Sequence, residues 1–521
     1  MAGKGFSAPA FRPAGYEALV RLYGLDVIPH WHKSFVASSG ARRVKAEENR
    51  VEEIYPSKYW PGDSPCAHLE FALKYDGMNL AILSGVFNVM DEGELAGHIR
   101  SKPTGKNVRR LWYLYEFLTG KKLPLDEVRQ GNYVDLLDPE EYVTVNPATP
   151  ARRQRVNDNL PGVRQFCPLV RRTETIRNLE TSDLAGRCRE VVAPYPPEIV
   201  KRALGYLYTK ETKSSFEIER VNPTSSRTER FVALLQLAEK EDFCEKARLV
   251  DLQNRTVEAR FRDPDYRSSQ NYVGETVAWG RERIHYVAPK PEDLADLMEG
   301  LIECHARMAR GRVNAVVHAA AVSFGFVFLH PFEDGNGRIH RFLIHNILAR
   351  RGLTPEGMIF PVSASMLKNP RDYDASLEAF SRPLMPLVDY SLDEKGRMTV
   401  HNDTAAWYRY MDMTPQAEAL FRFIGQTIEI EMAGELAFLA DYDKAKKAVQ
   451  DIVDLPDREI DLFIRLCLQN NGRLSQVKRR DSFAFLSDEE VARLEEALRQ
   501  IYPPGTEKPG SGLAGFRITK R

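Results

Sequence analysis

The stretch "HPFEDGNGRIHR", residues 330–341, constrains the fold more than any other part of the chain. It interrupts two apolar helical runs. Before it stands "NAVVHAAAVSFGFVFLH" (314–330), and after it "RIHRFLIHNILARRG" (338–352), which ends in basic residues and glycine, a helix C-terminal signal. A loop this polar, with this much backbone freedom, is costly between two buried helices unless it holds something. The spacing therefore predicts a mainly α core built around a functional loop.

Each position of the loop has a chemical reading. His330 ends the first helix, Pro331 stops it, and Phe332 is an apolar anchor in an otherwise polar segment. Gly335 and Gly337 permit positive φ and leave backbone N–H groups open to a ligand, while Asn336 tolerates the left-handed conformation and adds an amide donor. A helix starting at about Gly337 points its unpaired N–H groups at the loop, which makes an anion site. Arg338 and Arg341 are three apart and share one face, and two guanidiniums there suit a di- or triphosphate. A polyphosphate normally arrives with Mg²⁺, which prefers a carboxylate, phosphate oxygens and water, so Asp334 is the expected metal ligand. His330 is the nearby group with an unperturbed pKa close to neutrality, and is the expected general base.

These residues resemble the Fic family (filamentation induced by cAMP), whose signature is HxFx[DE]GNGRxxR. His330, Phe332, Asp334, Gly335, Asn336, Gly337, Arg338 and Arg341 match every specified position. The β-branched and aromatic stretch 267–288 looks like the family's target-docking hairpin flap, and "PVSASMLKNPRDYDASLEAF" (361–380) resembles the segment bordering the adenine pocket. The resemblance implies transfer of AMP from ATP, with Mg²⁺, to a Ser, Thr or Tyr hydroxyl of a target protein or of the chain itself. It makes His330 the base and Asp334 the metal ligand. Gly335, Asn336, Gly337, Arg338 and Arg341 become the nucleotide-binding set. The kinase-like Doc branch carries Lys where this chain has Gly337, so the glycine favours nucleotidyl transfer. The family's inhibitory pattern [ST]xxxE[GN] is met at Ser215 and Glu219, with Arg220 departing from the last position. By that resemblance the Glu219 carboxylate pairs with Arg341 and displaces the outer phosphate of ATP.

The rest of the chain frames this core. Helical spacing predicts a mainly α fold: a multi-helix Fic core with a short β-hairpin flap, flanked by helical N-terminal and C-terminal regions. The expected divisions are 1–190, 191–390 (with the inhibitory segment 213–220 and the flap 267–288) and 391–521. The Pro- and Arg-rich passage 137–190 reads as a long loop or linker. A helical block starts near 196–211, and Ser487 with Glu490 forms a capping box before the last helix. Lys and Arg number 73, as do Asp and Glu, so no global field favours nucleic acid or an anionic membrane. Six scattered cysteines without a CxxC pair argue for reduced thiols, and the N-terminus lacks the apolar core of a signal peptide; the expected compartment is the cytoplasm. The expected partners are ATP and a hydroxyl-bearing target protein, with no membrane and no nucleic acid, and self-association is left open.

Plainer readings compete at several positions. His305, His318, His340 and His345 follow no metal pattern and read as structural, and the "KRR" at 478–480 as a solvated cluster. Two other functions use the same loop: removal of AMP or use of another nucleotide, and a non-enzymatic nucleotide-sensing regulator. The intact base, carboxylate and arginine pair weigh against the last.

Overall fold

A computed structural model of the protein describes residues 11–47, 50–278 and 281–503. It is mainly α-helical, with small sheets. The chain divides into two compact units: residues 1–181, 243–344 and 371–420 form the first, and 182–242, 345–370 and 421–521 the second.

In the first unit the N-terminal region is not helical throughout. Strands Phe11–Ala14, His32–Ala37, Arg50–Tyr55 and Arg43–Glu47 lie side by side in that order. The first pair is antiparallel, and His32–Ala37 runs parallel to Arg50–Tyr55. Arg43–Glu47 is an exposed edge strand carrying alternate charges, which hides its β character from apolar periodicity. Behind the sheet, His32 Nε2 meets Glu53 Oε2 at 3.1 Å and Nδ1 meets Asp76 Oδ1 at 3.3 Å. Burial opposes charge on this ring, but the two carboxylates outweigh it and raise its pKa.

The passage 137–190 is likewise no linker. Val156, Leu160, Phe166 and Cys167 are fully buried, and a three-stranded sheet joins Val134–Asp135, Val156–Asp158 and Thr149–Ala151. Arginines satisfy much of the irregular backbone nearby. Arg155 donates to Val128 O and Gly131 O at 2.9 and 2.7 Å, and Arg307 Nε to Leu160 O at 2.7 Å. Bonds of that kind replace a regular ladder and leave no period to read.

The functional loop sits among three elements of this unit. The leading helix, Ala315–Leu329, buries every residue except Ala315 and Val327. Helix Pro291–Arg310 packs on it through Leu294, Leu297, Met298, Leu301 and Met308, a helical stripe. The flap is an antiparallel pair, Tyr272–Ala278 with Arg281–Val287, its register broken by bulges. Two tyrosines fasten its root: the Tyr286 hydroxyl donates to Phe328 O, and that of Tyr408 to Val287 O at 2.6 Å.

The second unit is organised by one long helix, Pro197–Ile218, which runs through both the expected block 196–211 and most of the segment 213–220. Its polar residues are accommodated inside: Thr212 Oγ1 donates to Tyr208 O at 2.9 Å, and Glu211 accepts from the Ser363 N–H at 2.9 Å. Ile199 and Ala203 join Leu439, Phe463, Leu494 and Leu498 in its core. The capping box at Ser487 and Glu490 is formed in full. All six cysteines are buried, and none is in a disulfide. Among the described residues no helix is long and apolar enough to cross a membrane.

Candidate active site

Asn314 starts the leading helix by accepting from the Val316 N–H at 2.9 Å, and His330 ends it in the left-handed region, φ 50° and ψ 58°. Its N–H still bonds Phe326 O at 2.9 Å. A non-glycine residue held there stores about 1 kcal/mol or more of backbone strain. Nδ1 lies 3.1 Å from Val327 O. A carbonyl can only accept, so Nδ1 carries the hydrogen, and in the neutral ring Nε2 holds the lone pair.

The loop beyond is tied to itself and to the core. Phe332 is fully buried beside Tyr266 and Phe326. The Asn336 amide closes the turn, its Oδ1 accepting from Phe332 N–H at 3.1 Å and its Nδ2 donating to Phe332 O at 2.7 Å. Gly335 has φ +94°, and a Cβ there would stand 2.9 Å from Val257 Cγ1, so glycine is required twice over. The trailing helix, Asn336–Arg350, makes its first backbone bond from Ile339 to Gly335 O at 3.0 Å. The N–H groups of Asn336, Gly337 and Arg338 thus precede its ladder and form an anion-attracting end.

Two guanidiniums stand on the first turns of that helix. Arg338 is 3% exposed and Arg341 1%, a degree of burial that solvated surface charges do not show. Arg338 Nη2 donates to Asp334 Oδ1 at 2.6 Å, and Arg341 Nη1 faces the Tyr373 hydroxyl at 3.5 Å. Asp334 Oδ1 also accepts from the Gly335 N–H at 2.6 Å. His330, Phe332, Asp334, Gly335, Asn336, Gly337, Arg338 and Arg341 therefore converge in the first unit, on one loop and the start of one helix.

The comparison with known proteins decides the family. Residues 243–348 match the family model described as Fic/DOC family. They form a Fic/DOC domain. Over 91 residues the chain is 34% identical to the protein adenylyltransferase Fic of Drosophila willistoni, covering 18% of this chain and 16% of that protein. Over 90 residues it is 33% identical to the protein of the same name from Nematostella vectensis, covering 17% and 19%. The chain thus spans less than a fifth of the length of the curated relatives it matches. A crystal structure of a Fic family protein from Desulfovibrio desulfuricans overlaps 59% of this chain and 87% of its own, at 19% identity and a TM-score of 0.37.

The Fic domain uses residues that the motif did not point to. Gln253, fully buried, donates to Phe261 O at 2.8 Å and Asp334 O at 3.3 Å, and accepts from the Asp263 N–H at 3.1 Å. Asp263 Oδ2 in turn accepts from the Glu333 N–H at 3.2 Å. Burial raises the Asp263 pKa; the Glu333 N–H partly opposes this, and the charges of Glu333 and Asp334 add to it. Arg267, 5% exposed, bonds the His330 carbonyl. The only sequence signal for Asp263 and Arg267 was the run of charges "RFRDPDYR" (260–267) before the flap, which has no helical period, and Gln253 had none.

Among the described residues no group of three or more His, Cys, Asp or Glu converges to hold a metal ion. The Fic loop carries two carboxylates: Glu333, which accepts from the Ser269 hydroxyl, and Asp334, with a side chain 43% exposed. That fits Mg²⁺ held chiefly by phosphate oxygens and water, and does not fit an all-protein cage.

In the second unit Ser215 is fully buried and Glu219 is exposed at the helix end. Arg220 N–H bonds Glu217 O at 2.8 Å and Val221 N–H bonds Phe216 O at 3.0 Å, with Arg220 at φ 56°. This is a Schellman ending with arginine in the left-handed position that glycine or asparagine normally takes. Arg220 holds this left-handed backbone at some cost.

Proposed function

We propose that the chain is a protein adenylyltransferase that moves AMP from ATP to a Ser, Thr or Tyr hydroxyl of a target protein or of itself. The observation that carries this reading is the His330 ring. Its Nδ1 is committed to Val327 O, so its Nε2 is the basic atom, and it stands at the head of a loop whose helix start and arginines suit phosphates. In the reaction the hydroxyl oxygen bonds the α-phosphorus as the bond to the bridging oxygen of the β-phosphate breaks. Pyrophosphate leaves and the hydroxyl proton passes to His330 Nε2. The trailing-helix N–H groups, that of Asn336 among them, hold the α-phosphate, and Arg338 and Arg341 the outer ones. Asp334 would hold Mg²⁺, which when bound neutralises charge on the phosphate oxygens.

In the same reading Glu219 restrains the enzyme by pairing with Arg341, taking the guanidinium that the outer phosphate needs. The Ser215–Glu219 spacing supports this. The names of the Drosophila and Nematostella relatives agree with the chemistry. The test is transfer of label from ATP carrying it on the α-phosphate, with intact mass showing an added AMP. Label carried over from the γ-phosphate in its place would establish kinase chemistry and overturn the reading.

A further inference from the structure

Arg267 lies where three chain segments meet. Its guanidinium donates through Nε to His330 O at 2.8 Å, through Nη1 to Ser269 O at 2.6 Å and through Nη2 to Pro289 O at 2.7 Å. Its own N–H bonds Pro331 O at 2.8 Å. Ser269 and Pro289 are the two feet of the hairpin 272–287, and His330 and Pro331 open the catalytic loop. Two further bonds repeat the link: the Ser269 hydroxyl to the Glu333 carboxylate, and Asn271 Nδ2 to Phe332 O at 3.4 Å.

The chemistry of the junction is specific. Burial lowers the pKa of Arg267 to about 10, so it remains charged at neutral pH, surrounded by carbonyl dipoles. A buried cation is costly, and packing alone would be served better by an apolar side chain. What the guanidinium adds is a rigid planar fork able to reach three carbonyls at once, which a lysine ammonium on a flexible stem cannot copy.

We propose that Arg267 is a positioning residue: it fixes the His330 carbonyl, and the left-handed turn that aims the ring, relative to both feet of the hairpin. A target chain docked on the hairpin is thereby registered on the base. This rests on the adenylyltransferase reading for its consequence, but the coupling between hairpin and loop is separable from it.

The experiment uses the full chain with Arg267→Lys and Arg267→Gln. AMP self-labelling is measured over a range of ATP concentrations, with thermal denaturation and amide hydrogen exchange alongside. Misplacing a reacting group by about 1 Å costs on the order of 10²-fold, so kcat should fall by about that factor with KM for ATP unchanged. Exchange should quicken together at the hairpin feet and at 330–336, with little change in the helix Lys106–Thr119. Arg267→Lys keeps the charge and provides the folded variant if Arg267→Gln does not fold. Wild-type kcat in Arg267→Lys, or unchanged exchange at 330–336, overturns the proposal. Absence of label from both the wild-type and the Glu219→Gly protein overturns the adenylyltransferase reading instead, and the exchange comparison still decides the coupling.

Discussion

The His330 imidazole is held by the Val327 carbonyl, Nδ1 to oxygen at 3.1 Å, within the turn that ends the leading helix. This contact selects the tautomer, with the hydrogen on Nδ1. His330→Ala should lower AMP transfer by about 10²–10⁴-fold, the usual worth of a general base, while ATP binding and the melting temperature stay near wild type. Undiminished labelling by this variant would remove His330 from the mechanism.

Asp334 and Arg338 are joined to each other at 2.6 Å, so loop shape and metal binding have to be separated. Asp334→Asn keeps an oxygen for Arg338 and for the Gly335 N–H but loses the charge; Asp334→Ala loses both. Both variants should lose transfer activity, and excess Mg²⁺ should not restore it. An Asn variant as active as wild type would show that only loop shape matters.

On the proposed restraint, Glu219→Gly should raise AMP incorporation. Adding His330→Ala should abolish the gain. Equal labelling by wild type and Glu219→Gly would refute restraint by this segment.

Arg220 occupies a left-handed Schellman position that glycine fills without strain. The conformation costs a non-glycine residue about 1–2 kcal/mol, part of which the extra freedom of unfolded glycine cancels. Arg220→Gly should stabilise the second unit by roughly 0.5–1 kcal/mol. A denaturation midpoint at or below the wild-type value would count against the strain.

His340 is wholly buried, its Nδ1–H donating to Ser323 O at 2.8 Å. Burial, with Arg341 adding to it, pushes its pKa down to about 3. The unfolded ring takes up a proton below about 6.5 and the folded ring does not. Stability is therefore complete above that pH and is lost as pH falls towards 3, by at most about 1.4 kcal/mol per pH unit. His30, lowered to about 4 chiefly by burial, acts in the same direction. Unfolding free energies at pH 4.5 and 7 should differ less in His340→Gln than in wild type. An unchanged difference would mean that the buried ring does not contribute to acid sensitivity.

The candidate loop was legible because its residues are local in sequence. His330, Asp334, the two glycines and Arg338 lie within nine positions, and the turn, the helix start and the shared arginine face all follow from spacing along one chain segment. The leading helix and the capping box at Ser487 were legible for the same reason. The N-terminal sheet was not, since its edge strand is exposed and charged and its neighbours are buried through an ionic cluster around His32. Nor was the passage 137–190, where the Leu160 carbonyl is bonded by Arg307 from far along the chain and Arg155 bonds carbonyls outside the passage. Gln253 and Arg267 became functional candidates only in three dimensions. An amide or a guanidinium far from the motif has no periodicity of its own, and its role is set by which carbonyls the fold brings within 3 Å or so of it. Sequence alone determined which groups could do chemistry on the loop; tertiary structure decided what holds that loop still.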